Sequence, residues 1–149
     1  MLPASRGRAR LGKQIDVVGA VIVRDGMVLC AQRGPSGNLP YKWEFPGGKI
    51  EPGETPRQAL EREIDEELKC TIAVGEEVES TRHNYDFATI TLTTFYCELL
   101  DGLPQLTEHA AARWVLPSEI EDLDWAPADI PAIAKIKRDL LSPRQASPE

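Results

Sequence analysis

The sequence predicts an α/β fold in which a mixed β-sheet is sandwiched between helices. Apolar, β-branched runs stand before, between and after two helix-forming stretches, and the first of those stretches carries one apolar stripe. Strands and helices also fail to alternate as a regular βαβ series would require, which favours a layered α/β/α sandwich with a mixed sheet over a purely parallel one.

Ile15 to Val23 is rich in β-branched residues, Arg24-Asp25-Gly26 supplies a turn, and Met27 to Gln32 is apolar again, so the chain opens with a β-hairpin. Residues 34 to 42 hold Gly, Pro, Ser and Asn and read as a loop. A short strand around Trp43 to Phe45 follows and ends at Pro46-Gly47-Gly48, read as a turn. Thr55-Pro56 is a helix start, with a side-chain oxygen to cap free amides and a ring tolerated at the first helical position. Ala59, Leu60, Ile64 and Leu68 then form an apolar stripe, and the helix ends near Lys69. Cys70 to Val74, Val78 to Tyr85 and Thr89 to Leu99 read as strands, Ala112 to Leu116 as another, Pro117 to Ile120 as a helical turn, and Ala128 to Leu141 as the second helix.

The 149 residues are enough to close one core without disulfides or a structural metal. A single domain over residues 15–141 is expected, between a flexible tail at 1–14 and a frayed tail at 142–149. Arg6, Arg8, Arg10 and Lys13 make the first tail basic, but it lacks the apolar centre of a secretory signal. A basic anchor or targeting peptide is the alternative reading of that segment. With 42% apolar and 28% charged residues and no apolar run of membrane-spanning length, a cytoplasmic protein without membrane attachment is expected, as monomer or homodimer. The net charge of −7 argues against binding a nucleic-acid polymer, which relies on Lys and Arg to neutralise phosphates. Cys30, Cys70 and Cys97 lack any CxxC spacing and read as buried thiols; His83 and His109 are too few and too isolated to be given any chemistry.

Glu63, Glu66 and Glu67 stand at i, i+3 and i+4, so they are expected on one exposed helix face, roughly 100° or more from the Leu60, Ile64 and Leu68 stripe. A solvated acidic face is the plain alternative. Like charges at this spacing destabilise a helix by a few tenths of a kcal/mol, a cost that a divalent cation would offset. Mg²⁺, which takes hard oxygen ligands and bridges to substrate phosphates, suits such a cluster.

The segment GGKIEPGETPRQALEREIDEELKC, residues 47 to 70, resembles the signature of the Nudix hydrolases. Gly48, Glu54, Arg62, Glu63, Ile64, Glu66 and Glu67 match that signature in register. Lys69 departs from it, standing where the family has glycine, and Lys does not favour the left-handed conformation of a helix C-terminus. The resemblance implies a Nudix-type α/β/α sandwich and hydrolysis of a nucleoside diphosphate linked to another group, with Mg²⁺, or Mn²⁺ in its place. It further implies Glu63, Glu66, Glu67 and the Gly47 carbonyl as metal ligands, and Arg62 as an orienter gripping Glu54. Glu63, Glu66 and Glu108 are the candidates for taking the proton of the attacking water; Glu108, in LTEH, is also a candidate metal ligand.

The likeness extends to the MutT branch of the family over about residues 15 to 140, including CTP or (d)CTP pyrophosphohydrolases and 8-oxo-dGTP-sanitising enzymes. It implies a nucleoside triphosphate substrate cleaved to monophosphate and pyrophosphate, in a role that sanitises the nucleotide pool. Arg33 matches a phosphate-contacting arginine, and Lys49, Phe45 and Tyr85 are further substrate-binding candidates, with Trp125 as an additional aromatic for the base pocket. Asp129, in WAPADIPAI, falls where MutT reads the oxidised guanine with Asn. While ionised it accepts hydrogen bonds only, which suits an exocyclic amino group or the N1 and N2 hydrogens of guanine. Its other reading is an N-cap for the second helix.

Overall fold

The computed structural model describes residues 13–105 and 109–141. Beyond Lys13 and Gln14, the tails expected at 1–14 and 142–149 lie outside them, and so does Glu108. The opening hairpin joins β1 (Gln14–Arg24) to β2 (Met27–Gln32). Its turn residues Asp25 and Gly26 have φ of 54° and 78°, the left-handed pair that a tight two-residue turn requires.

β1 organises the sheet. It runs parallel to β6 (Thr89–Asp101) from Gln14 to Ile22 and pairs antiparallel with β4 (Gly47–Lys49) over Val17 to Gly19. Its last residues pair antiparallel with β2, which also carries β3 (Trp43–Glu44) and β7 (Ala111–Val115). β5 (Thr71–Asn84) lies antiparallel outside β6. The sheet is therefore mixed, and residue alternation along β1 sends its side chains to two cores. Val18, Ala20 and Ile22 pack with Leu60, Ile64 and Leu68 of α1 (Pro56–Leu68). Val21 packs on the other face with Ile133 and Ile136 of α2 (Ile130–Leu140). One helix on each face gives the α/β/α sandwich.

Four local expectations are corrected. The two strands expected at Cys70 to Val74 and Val78 to Tyr85 are one strand, β5, whose register shifts between Val74 and Glu77 and between Glu77 and Glu79 let it bend without ending. Gly47–Lys49, read as turn, is a strand because glycine permits close approach: a Cβ added at Gly47 would lie 1.9 Å from the Val18 carbonyl oxygen. The second helix begins at Ile130, with Pro127–Asp129 forming a 3-10 turn before it. Lys69 does adopt the left-handed conformation, at φ 60° and ψ 39°, and its N–H donates to the Asp65 carbonyl, so α1 ends there without a glycine.

Cys30, Cys70 and Cys97 are buried free thiols, and burial pushes Cys30 and Cys97 up to about 12, where they are inert. No helix among the described residues is long and apolar enough to cross a membrane.

Candidate functional site

The site begins with the entry to α1. The Thr55 hydroxyl accepts from the Gln58 N–H at 3.1 Å while the Gln58 side chain accepts from the Thr55 N–H at 2.9 Å, a reciprocal cap that fixes the helix start. Glu54 lies just before it and accepts from the Glu51 N–H at 2.9 Å. Seven residues after Thr55, Arg62 spreads its guanidinium across the turn. Nε and NH2 donate to the two Glu54 oxygens at 2.5 and 3.0 Å, and NH2 also donates to the Lys49 carbonyl at 3.0 Å. NH1 reaches Glu63 at 3.0 Å and Glu66 at 3.3 Å. The Arg62 bonds, followed by the Glu51 N–H, hold the Glu54 carboxyl below its ordinary value, so it stays ionised and keeps this grip.

Gly48 explains how Glu63 sits so close to the turn. A Cβ there would stand 2.3 Å from the Glu63 carboxyl carbon and 2.5 Å from each of its oxygens. The two glycines therefore serve different contacts, Gly47 against β1 and Gly48 against the Glu63 carboxylate.

The three helix carboxylates do not share one exposed face as expected. Glu66 is exposed, the Glu63 side chain is 15% exposed, and Glu67 is buried. Helical geometry accounts for this: at about 100° per residue, Glu67 projects only about 20° from Leu60, at the margin of the apolar stripe. Among the described residues no three His, Cys, Asp or Glu side chains converge closely enough to hold an ion. The donor set still fits a hard divalent cation, since all its members are oxygens and the absence of a side chain at Gly48 lets the Glu63 carboxylate lie against the turn.

Beside α1 lies a cavity of about 370 Å³. Gly47, Gly48, Lys49 and Glu67 line it, and so do Arg33, Phe45, Tyr85 and Asp129. Most of the predicted substrate-binding residues are thus gathered around one space with one carboxylate of the helix. Larger grooves of about 770 and 550 Å³ elsewhere on the surface include no residue of this set. Glu54, Arg62, Glu63 and Glu66 are absent from its lining.

Asp129 does not cap α2. Its side chain makes no cap bond, and its Oδ1 instead accepts from the Phe45 N–H at 3.2 Å across 84 residues of chain. Only 5% of Asp129 is exposed. Burial, and then the charge of Glu44, push its carboxyl well above the usual carboxylate range, against the opposing Phe45 N–H and Arg33. The acceptor-only expectation concerns the ionised form; burial favours the protonated form, which donates as well as accepts.

The aromatic residues divide into lining and support. Phe45 lines the cavity, whereas Trp125 lies against it at 4.7 Å between ring centroids and donates its indole N–H to Ile120, so Trp125 is core and not pocket wall. The Tyr85 hydroxyl accepts from the Ala128 N–H at 2.8 Å, tying β5 to the Asp129 turn, and its ring stacks on Phe87 at 5.0 Å.

Glu44 and His109 line the cavity too, though sequence reasoning assigned neither a role. The signal for Glu44 was its charge between two buried aromatics, Trp43 and Phe45, on a short strand. For His109 the sequence held no signal, because its contact with Glu44 spans 65 residues.

The comparisons with known proteins give the family and the fold. The model of the NUDIX domain matches residues 13–136. The chain is 43% identical to the CTP pyrophosphohydrolase of Escherichia coli over 121 residues, covering 81% of this chain and 90% of that one. It is 44% identical to the putative 8-oxo-dGTP diphosphatase 2 of Mycobacterium tuberculosis over 133 residues, covering 85% and 90%. Among solved structures, that of the MutT protein of the Nudix hydrolase family from methicillin-resistant Staphylococcus aureus superposes with a TM-score of 0.72 at 52% identity, covering 85% of this chain and 98% of that one.

Proposed function

Since the chain belongs to the NUDIX family and is a Nudix hydrolase, we propose that it is a Mg²⁺-dependent nucleoside triphosphate pyrophosphohydrolase. The reaction is NTP or dNTP plus water to NMP plus pyrophosphate, on cytidine-type or oxidised nucleotides, and it clears or controls part of the nucleotide pool. The observation that supports this reading is the shared cavity, with Glu67 and Gly48 of the hydrolase signature, and Gly47 beside them, in one lining with Asp129, Phe45 and Tyr85.

Glu63, Glu66, Glu67 and the Gly47 carbonyl are the residues that would hold Mg²⁺, which when bound neutralises phosphate charge and lowers the pKa of water. Arg62 keeps the turn and the first of these carboxylates in place, since its fork spans Glu54, the Lys49 carbonyl and Glu63 at once. Arg33 and Lys49 offer positive charge to the phosphates from the cavity wall. Water attacks phosphorus in line with the leaving group, and a carboxylate, Glu63, Glu66 or Glu108, accepts its proton.

Asp129 carries the choice of base. Oδ1 accepts from Phe45, and a protonated acid that donates from Oδ2 and accepts through the second lone pair of Oδ1 matches a base edge that sets an acceptor beside a donor. Cytosine presents that pair as N3 and N4, and an oxidised guanine as O6 and N1. The names of the two relatives, one for CTP and one for 8-oxo-dGTP, support keeping both bases in view. The test is a steady-state panel of CTP, dCTP, 5-methyl-dCTP, 5-hydroxy-dCTP, 8-oxo-dGTP and 2-hydroxy-dATP with Mg²⁺. Turnover led by a cytidine or oxidised nucleotide is expected; a preference for nucleotide sugars or dinucleoside polyphosphates would overturn the assignment.

A further inference from the structure

We propose that His109 is a positioning residue for nucleotide binding, acting through Glu44 to fix the direction in which Arg33 meets the substrate. The inference rests on the reading of the cavity as a nucleotide site.

Three cavity-lining residues form a chain of contacts. The Arg33 NH1 donates to Glu44 Oε1 at 3.0 Å, and the other Glu44 oxygen, Oε2, lies 2.9 Å from His109 Nε2. A carboxylate held by a guanidinium is an acceptor at both oxygens, so Nε2 is the donor in this contact. Nδ1 is buried with no hydrogen-bond partner among the described residues. The His109 side chain is only 6% exposed.

An unsatisfied buried nitrogen is a cost that packing does not explain, because an aliphatic side chain would fill the space without it. What the imidazole supplies in return is the Nε2 bond, and that bond ends on the residue that orients Arg33. Arg33 is anchored a second time, through Nε to the Asn38 carbonyl at 2.9 Å. Two anchors on one planar guanidinium fix its plane, and no described residue accepts from its NH2, which leaves that edge for an anionic ligand. Without His109, Glu44 is held on one oxygen only and Arg33 gains the freedom to follow it.

The prediction is a binding defect that depends on Arg33. His109→Leu, which fills the volume without a donor, should raise KM for the best nucleotide about tenfold while lowering kcat less than threefold. His109→Gln, which can return a donor to Glu44, should restore KM to within about threefold of wild type, and His109→Asn, whose amide is too short, should not. In the Arg33→Ala background His109→Leu should change KM by less than twofold, since the two residues act as one unit. Dissociation constants for the nucleoside monophosphate product, measured by calorimetry, should follow KM.

An unchanged KM in the leucine variant overturns the proposal. So does an equal loss in kcat, a Gln variant no better than Asn, or additivity with Arg33→Ala. If the leucine variant does not fold, the Gln and Asn pair decides the matter alone. A wild type that neither binds nor turns over any nucleotide overturns the functional reading as well, whereas an active wild type with an indifferent His109 overturns only this inference.

Discussion

Replacing Gly48 with alanine adds one methyl group at the point where the turn meets the helix. The backbone there is outside the left-handed region, so alanine is tolerated conformationally and the effect is steric. The new carbon would stand 2.3 Å from the Glu63 carboxyl carbon, and ordinary contact starts at 3.4 Å, so the carboxylate must retreat by about 1.1 Å. Glu63 cannot retreat easily, because the Arg62 NH1 holds it at 3.0 Å and its side chain is 15% exposed. A displacement of roughly 1 Å in a group that positions the reaction costs on the order of 100-fold in rate, or about 2.7 kcal/mol. Overpacking adds about 1 to 3 kcal/mol of destabilisation, which circular dichroism during thermal melting separates from the catalytic loss. The assay is kcat/KM on the best nucleotide at saturating Mg²⁺, at a temperature where the variant is folded. A folded Gly48→Ala protein within threefold of wild type would refute the argument that this glycine exists to seat Glu63.

Other perturbations test other links. Arg62→Lys keeps the charge but loses the fork across Glu54 and the Lys49 carbonyl, so activity should fall on the order of 10- to 100-fold; near-wild-type kcat would show that the fork is dispensable. Lys69→Gly relieves a left-handed residue on an exposed position, and after the greater chain entropy of glycine a net gain of about 0.5 to 1 kcal/mol is expected in urea unfolding; a loss would contradict the strain. Asp129→Asn should shift the ranking of nucleotides more than the Mg²⁺ requirement, and an unchanged panel would remove Asp129 from base reading. The same variant tests the raised carboxyl. A group protonated more readily in the folded state stabilises fully below its unfolded pKa and loses that contribution as pH rises through the folded value. The melting temperature of wild type should therefore fall relative to Asp129→Asn between acid and alkaline pH, and parallel curves would contradict the shift.

The layers and the signature helix were legible in the sequence because both rest on short-range pattern. The Thr55 cap, the Leu60, Ile64 and Leu68 stripe, the Asp25-Gly26 turn and the spacing from Gly48 to Glu67 are set within a few residues of each other. Failures arose where the chain meets itself at a distance. Asp129 has the local form of a helix cap, yet its side chain bonds Phe45, and the burial that biases its protonation has no local trace. Glu67 was placed among exposed carboxylates because its charge outweighed an angle that sets it beside Leu60. The bent strand β5 was divided at Gly75 and the charged pair after it, though pairing with β6 carries it across. His109 gained a partner only when β3 and the segment before β7 came together.

The central claim is cleavage that yields nucleoside monophosphate and pyrophosphate through the carboxylates of α1. The most direct measurement is product identification by ion-exchange chromatography with separate detection of pyrophosphate and orthophosphate, on wild type with and without Mg²⁺ and on Glu66→Gln. Equal amounts of monophosphate and pyrophosphate from the wild type with Mg²⁺ are predicted. Chelation should abolish turnover, and the folded Glu66→Gln protein should lose at least about 100-fold, a carboxylate ligand being neutralised on an exposed helix face. Release of orthophosphate with nucleoside diphosphate, or full activity in Glu66→Gln, would contradict it.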